Sequence, residues 1–195
     1  MLDGIVPPLI VLVAAAALLI LRHVYARSHG RASRSGVTVT IGLVVLVAVL
    51  ELSMGRPLAY RNGPVRLWVG DVNSDQNSQQ ILDPYSFTHV VHGALFYGLT
   101  RGVMWPAALA TRVVVAIALE SAWEVYENTD TVINRYRTAT IALGYYGDSV
   151  TNSIADILAC LVGFVLAITI RDNLTLNIIM LIRPIEAIRR WQVGG

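Results

Sequence analysis

The sequence predicts an all-α, polytopic helical membrane protein with about five transmembrane helices and a C-terminal interfacial amphipathic helix. Three observations predict it. Hydrophobic residues make up 55% of the 195 positions, and charged residues only 14%. A soluble domain carries about 25% charge. Mean hydropathy is +0.58, so the apolar residues exceed what one globular core requires. They are also grouped into stretches long enough to cross about 30 Å of hydrocarbon. The length suits one domain, residues 1–195.

The first expected span is Ile5–Leu21. Its basic residues follow it rather than precede it, so it reads as a retained helix and not a cleaved leader. The Arg- and Ser-rich stretch HVYARSHGRASRSG separates it from the second span, Val37–Met54. Met54–Tyr85 is polar, with GDVNSDQNSQQ at its centre, and belongs outside the bilayer. Phe87–Trp105 and Pro106–Val125 form the third and fourth spans, joined by a tight hairpin in which Pro106 suits the first turn of the new helix. Tyr126–Gly147 is a second external connection. The fifth span is 148–170. The tail Leu174–Trp191 has too short an apolar run to cross and is interrupted by Pro184. It reads as an interfacial helix, with Arg183, Arg189, Arg190 and Trp191 at headgroup level.

Charge adds orientation. The basic side chains are all Arg, fifteen of them, and the net charge is +2. That balance argues against nucleic acid as a partner. With the first loop inside, Arg22, Arg27, Arg31, Arg34, Arg101, Arg112, Arg171, Arg183, Arg189 and Arg190 fall on the cytoplasmic side, against Arg56, Arg61, Arg66, Arg135 and Arg137 outside. This gives a multi-pass inner-membrane protein with its N-terminus outside and its C-terminus in the cytoplasm. Cys160 is the only cysteine, so a cysteine-based zinc site is excluded. Gly93, Gly98 and Gly163 are expected to allow close helix packing.

The polar residues inside these spans carry the chemistry. His89 and His92 lie three apart near the start of the third span and share a face. Glu120, Glu124 and Glu127 follow at the end of the fourth. Asp148, Asn152 and Asp156 repeat at four-residue intervals at the start of the fifth. At 1.5 Å per residue, Asp156 lies about 12 Å deeper than Asp148. Three consecutive spans that enter, return and re-enter put all three groups in one leaflet, the outer one. A charge at membrane depth costs about 2.5–3.5 kcal/mol, so these groups need partners.

Three readings follow. The cluster is interhelical glue in a scaffold or assembly partner. It is a proton or ion pathway. Or it is a metal or acid–base site, with His89, His92, Asp148 and Asp156 holding a divalent ion and Glu124 and Glu127 as bases. The third reading makes the chain a hydrolase or transferase on a lipid or envelope precursor. The sequence alone leaves enzyme and non-enzyme open. Glu120 and Asn152 join the polar site. Arg135 and Arg137 are placed to neutralise it or to bind a lipid phosphate. Trp123, Tyr126, Tyr136, Tyr145 and Tyr146 read as interface anchors.

The blocks LWVGDVNSDQNSQQILDPYSFTHVVHGALFY, ESAWEVYENTDTVINRYRTATIALGYYGDSVTNSIADILAC and IRDNLTLNIIML with PIEAIRRWQ resemble a family of bacterial inner-membrane proteins, best represented in alphaproteobacteria and described as a domain of unknown function. The resemblance covers over half the chain and implies a location more than an activity. Two departures accompany it. Relatives carry cysteines near Tyr60–Gly63, which this chain lacks, and an extra apolar segment before the IRDN stretch. The Asp83…His89 block and the later Glu and Asp…Asn blocks are also distantly similar to VanZ-like membrane proteins.

Overall fold

A computed structural model describes residues 5–29, 34–139 and 145–193, with side chains for 5–20, 36–138 and 145–174. The elements are α1 (Val6–His29), α2 (Arg34–Ser53), α3 (Ser86–Val103), α4 (Leu109–Glu127), α5 (Asp130–Ala139) and α6 (Val150–Val193). Among the described residues there is no strand, only an isolated bridge between Trp68 and Leu82.

The hub is α4, which packs on α1, α2, α3 and α6. Its Val114, Ile117 and Val125 are buried with Val11, Leu43, Val47 and Ile157 of the surrounding helices. A central helix has protein on most sides, so it can carry Arg112, Glu120 and Glu124 buried. The outer helices do the reverse. On α3, Phe87, Val91, Leu95, Leu99 and Val103 are all exposed at four-residue spacing. Val37, Ile41, Val45 and Val49 form the same kind of stripe on α2. Single exposed apolar residues are ordinary, but continuous stripes of this kind mark a surface that meets something apolar.

Two helical segments are long and apolar enough to cross a membrane, Gly36–Ser53 and Val150–Leu174, and Val6–Ile20 is a shorter apolar stretch. That is fewer than the five spans expected from sequence. The difference lies in α1, whose apolar stretch is short, and in α3 and α4, whose polar residues lower their hydropathy.

Helix ends differ from expectation as well. Met104–Ala107 closes as a turn, with the Ala107 N–H donating to the Met104 carbonyl at 2.9 Å. Pro106 therefore sits in the connection, and α4 begins three residues later. The Tyr126–Gly147 connection contains α5, a short polar helix. Beyond Ile170 there is no break: α6 runs on as a single helix of 44 residues through Pro184. Arg171, Asp172 and Asn173 are all compatible with a helix, and no glycine separates Phe164 from Pro184. The side chains of the tail, and those of Arg22, Arg27, Arg31 and Arg34, lie outside the described residues.

The α3–α6 contact is the tightest. A Cβ on Gly93 would collide with the Cys160 carbonyl, and one on Gly163 with the Val90 carbonyl. Each glycine thus admits the other helix's backbone, as the sequence suggested. Gly98 has open space around its Cα and plays no such part. The reciprocal contact brings the histidine end of α3 against the Asp148–Asp156 end of α6.

Candidate functional site

The site lies where α3 begins, α4 ends and α6 begins. Asp83 sets the entry to α3: its Oδ1 accepts the Tyr85 N–H at 2.7 Å and its Oδ2 the Ser78 N–H at 2.7 Å. Ser149 sets the entry to α6. Its Oγ accepts the Asn152 N–H at 3.2 Å, as an N-cap should, and donates to the Gln79 carbonyl at 3.0 Å. The next two N–H groups, of Val150 and Thr151, donate to the carbonyls of Pro57 and Leu58. The long 54–85 connection is therefore fastened to the top of α6 and does not hang free in solvent.

His89 is the centre. Its Nδ1 lies 2.5 Å from Glu120 Oε1 and 3.1 Å from Glu124 Oε1, and its Nε2 lies 3.7 Å from Asp156 Oδ2. All four side chains are almost wholly buried. His92 meets Glu120 Oε2 at 3.2 Å through Nδ1, and the two imidazole rings meet edge to face at 5.2 Å. Two sets have ligand atoms all within 4.8 Å of one another: His89–His92–Glu120 and His89–Glu124–Glu127. The donor types suit a divalent ion. Asp148 and Asp156, expected as ligands, are in neither set. Instead Glu120 and Glu124 of α4 stand closest to His89, with Asp156 of α6 at 3.7 Å.

Behind His89 lies a second network that the sequence reading missed. Asn128 is fully buried, and its Oδ1 accepts the Asp148 N–H at 2.7 Å. Its Nδ2 lies 3.1 Å from Asp148 Oδ2, 3.2 Å from Ser153 Oγ and 3.3 Å from Glu51 Oε1. Glu51 is fully buried on α2. An acid in the apolar run LVVLVAVLEL is itself a signal. Asn128, in a short turn, gives none.

In front of His89 is a half-open cavity of about 530 Å³. The 72–79 loop forms one wall, and Tyr136 of α5 and Tyr145–Asp148 another. Trp123 and Glu127 contribute from α4, and His89, His92, Asn152 and Asp156 form the depth. Of the five aromatics read as interface anchors, all but Tyr126 line this cavity. Arg135 and Arg137 are exposed on α5 and do not line it. Asn152 Nδ2 and Asp156 Oδ1 are buried without a hydrogen-bond partner.

Asp148 links the two networks. It precedes α6, outside the apolar segment, and its Oδ1 accepts the Tyr145 hydroxyl at 3.0 Å. Burial pushes its carboxyl up to about 6, against the lowering effect of the Tyr145 hydrogen bond. Burial, with Asp148 and Glu127 beside it, pushes the Tyr145 hydroxyl well above the usual tyrosine range.

These features define an all-helical protein with an acidic, histidine-centred cavity at one end of its bundle. The chain belongs to the DUF2585 family, described as a protein of unknown function, matched over residues 50–170 and 165–194. It is 47% identical over 186 residues to a UPF0314 protein of Sphingopyxis alaskensis, covering 85% of this chain and 99% of that protein. A UPF0314 protein of Sinorhizobium fredii is 44% identical over 79% of this chain and 88% of its own length. One from Paracoccus denitrificans is 42% identical over 80% and 91%. These relatives are alphaproteobacterial, as the sequence blocks implied. No solved structure matches.

Proposed function

We propose that the chain is a multi-pass inner-membrane protein, with α1, α2, α3, α4 and the first part of α6 as its five spans. In this reading its cavity is a metal-assisted hydrolase or transferase site for a lipid or envelope precursor. The exposed apolar stripes on α2 and α3 support the membrane reading, since a water-facing surface rarely carries continuous apolar stripes of this kind. The external-face orientation rests on the Arg distribution. The VanZ-like similarity rests on the polar pattern alone.

One observation carries the site reading. A histidine ringed by three carboxylates stands at the depth of an open cavity whose lining leaves polar atoms of Asn152 and Asp156 unpartnered. Glue made only of closed pairs leaves no such cavity beside it. A divalent ion would be held by His89 and His92 with Glu120, or by His89 with Glu124 and Glu127. It would polarise a substrate oxygen or activate water. Glu127, at the cavity wall, is then the candidate base.

The test is metal content of the detergent-purified protein after dialysis against zinc or manganese. About one ion per chain is expected in the wild type and less than a tenth of that in His89→Ala, since both sets include His89, while the loss in His92→Ala or in Glu124→Gln tells which set holds the ion. An ion-free wild type whose variants fold equally well would leave the cluster as interhelical glue.

A further inference from the structure

The cavity's walls differ in chemistry from its depth. Asp75, Glu127, Asp148 and Asp156 line it, and no arginine does. The chain has no lysine at all, so among the described residues no guanidinium or ammonium side chain faces the space. At the rim, two tyrosines are paired with two of these acids. The Tyr136 hydroxyl lies 3.4 Å from Glu127 Oε1, and the Tyr145 hydroxyl 3.0 Å from Asp148 Oδ1. The two rings meet edge to face at 5.6 Å. Trp123 adds a third aromatic side chain to the lining, its ring 5.9 Å from that of His92.

A free phosphate or carboxylate would enter this space against like charge, with no guanidinium to receive it. A compact organic cation meets the opposite situation. Aromatic faces attract it through their quadrupoles, and carboxylates held by tyrosine hydroxyls balance its charge without closing on it.

We propose that the rim of this cavity, formed by Trp123, Tyr136, Tyr145, Glu127 and Asp148, binds an ammonium group, either of a free amine or quaternary ammonium compound or of a zwitterionic lipid headgroup. This names the substrate class of the metal-assisted site and rests on that reading for catalysis, though not for binding. The cation occupies the aromatic rim, and the histidines at the depth are left to the metal.

The experiment is calorimetric titration of the detergent-solubilised full chain with tetramethylammonium and choline, and with inorganic phosphate as the opposing charge. A second arm compares nanodiscs of phosphatidylcholine with nanodiscs of phosphatidylglycerol. Saturable binding of tetramethylammonium or choline is expected, weakened at least fivefold by Tyr136→Leu and within about twofold of wild type in Tyr136→Phe, which keeps the ring. Trp123→Leu tests the ring contribution on a different helix. Circular dichroism checks that each variant is folded.

Preference for phosphatidylcholine with no response to free choline assigns the ammonium to a lipid, and the converse to a soluble amine. No saturable binding in either arm overturns the proposal, as does binding that Tyr136→Leu and Trp123→Leu leave unchanged, or tighter binding of phosphate. Metal content measured on the same samples separates the two readings. Metal retained without ammonium binding overturns this inference alone, and ammonium binding by metal-free protein overturns the metal reading alone.

Discussion

Two buried asparagines, Asn128 and Asn152, stand within the same end of the bundle and do opposite things. Asn128 holds Asp148 and faces Glu51 and Ser153, so its amide fills the space between α2, α4 and α6. Asn152 lines the cavity and its Nδ2 has no partner. The amide of Asn128 has its partners within the protein, although Glu51 Oε2 beside it has none, and Asn152 Nδ2 is left facing a space. A polar cluster kept only for packing would be expected to look like the first throughout. The contrast separates the part of the cluster that holds helices together from the part available to something else.

The largest effect should come from breaking the closed network. Asn128→Ala strips the Asp148 N–H of its acceptor and leaves Glu51 and Asp148 facing each other without the amide between them. Each buried group deprived of its partner costs about 1–3 kcal/mol, more if charged. A loss of about 3 kcal/mol in unfolding free energy in detergent is expected. A loss below about 1 kcal/mol would mean that the amide is not what holds α2 and α6 together there.

Asp148 belongs to both networks, and its titration tests the junction. Its folded value of about 6 lies above its ordinary 3.8. The folded state therefore binds this proton more tightly than the unfolded chain does. The charged form costs the fold its full penalty above about pH 6, and that penalty is relieved as pH falls toward 3.8. Two units correspond to an upper bound of about 3 kcal/mol. The stability difference between wild type and Asp148→Asn should change by up to that amount between pH 7 and pH 4, with the wild type gaining at the acid end. A difference that stays flat across this window would show Asp148 to be solvated. Cation binding should run the other way and strengthen above pH 6, since it needs the ionised carboxylate.

The sequence made one network legible and hid the other for a physical reason. His89 and His92, the three glutamates and Asp148, Asn152 and Asp156 are polar residues in apolar surroundings, and the order of three consecutive spans forces them to one end. The distances around His89 agree with that placement. Asn128 and the 72–79 loop carried no such contrast, because polar residues in a turn or a loop look solvated until the fold covers them. Gly93 and Gly163 were readable as contacts from their position in helices, and Gly98 was indistinguishable from them. Helical spacing puts Asp148 and Asp156 on one stripe, but only the folded packing shows that Glu120 and Glu124 come closest to His89. Hydropathy counted α3 and α4 as spans from their length, and the polar residues that make them functional are what remove them from a stricter count.

The smallest effect should come from Asn152→Ala, and it is the sharpest test of the contrast because the residue type is the same. The substitution removes a buried Nδ2 that has no partner, which recovers a desolvation cost. It also deletes side-chain volume, but next to an existing cavity, so the neighbours lose few contacts. The two terms oppose, and a net change within about 1 kcal/mol of wild type is expected. A loss matching that of Asn128→Ala would show that the front network is also closed and structural. A stability within that range, together with weakened binding of the divalent ion or of tetramethylammonium, would show that Asn152 is kept for a ligand and not for the fold.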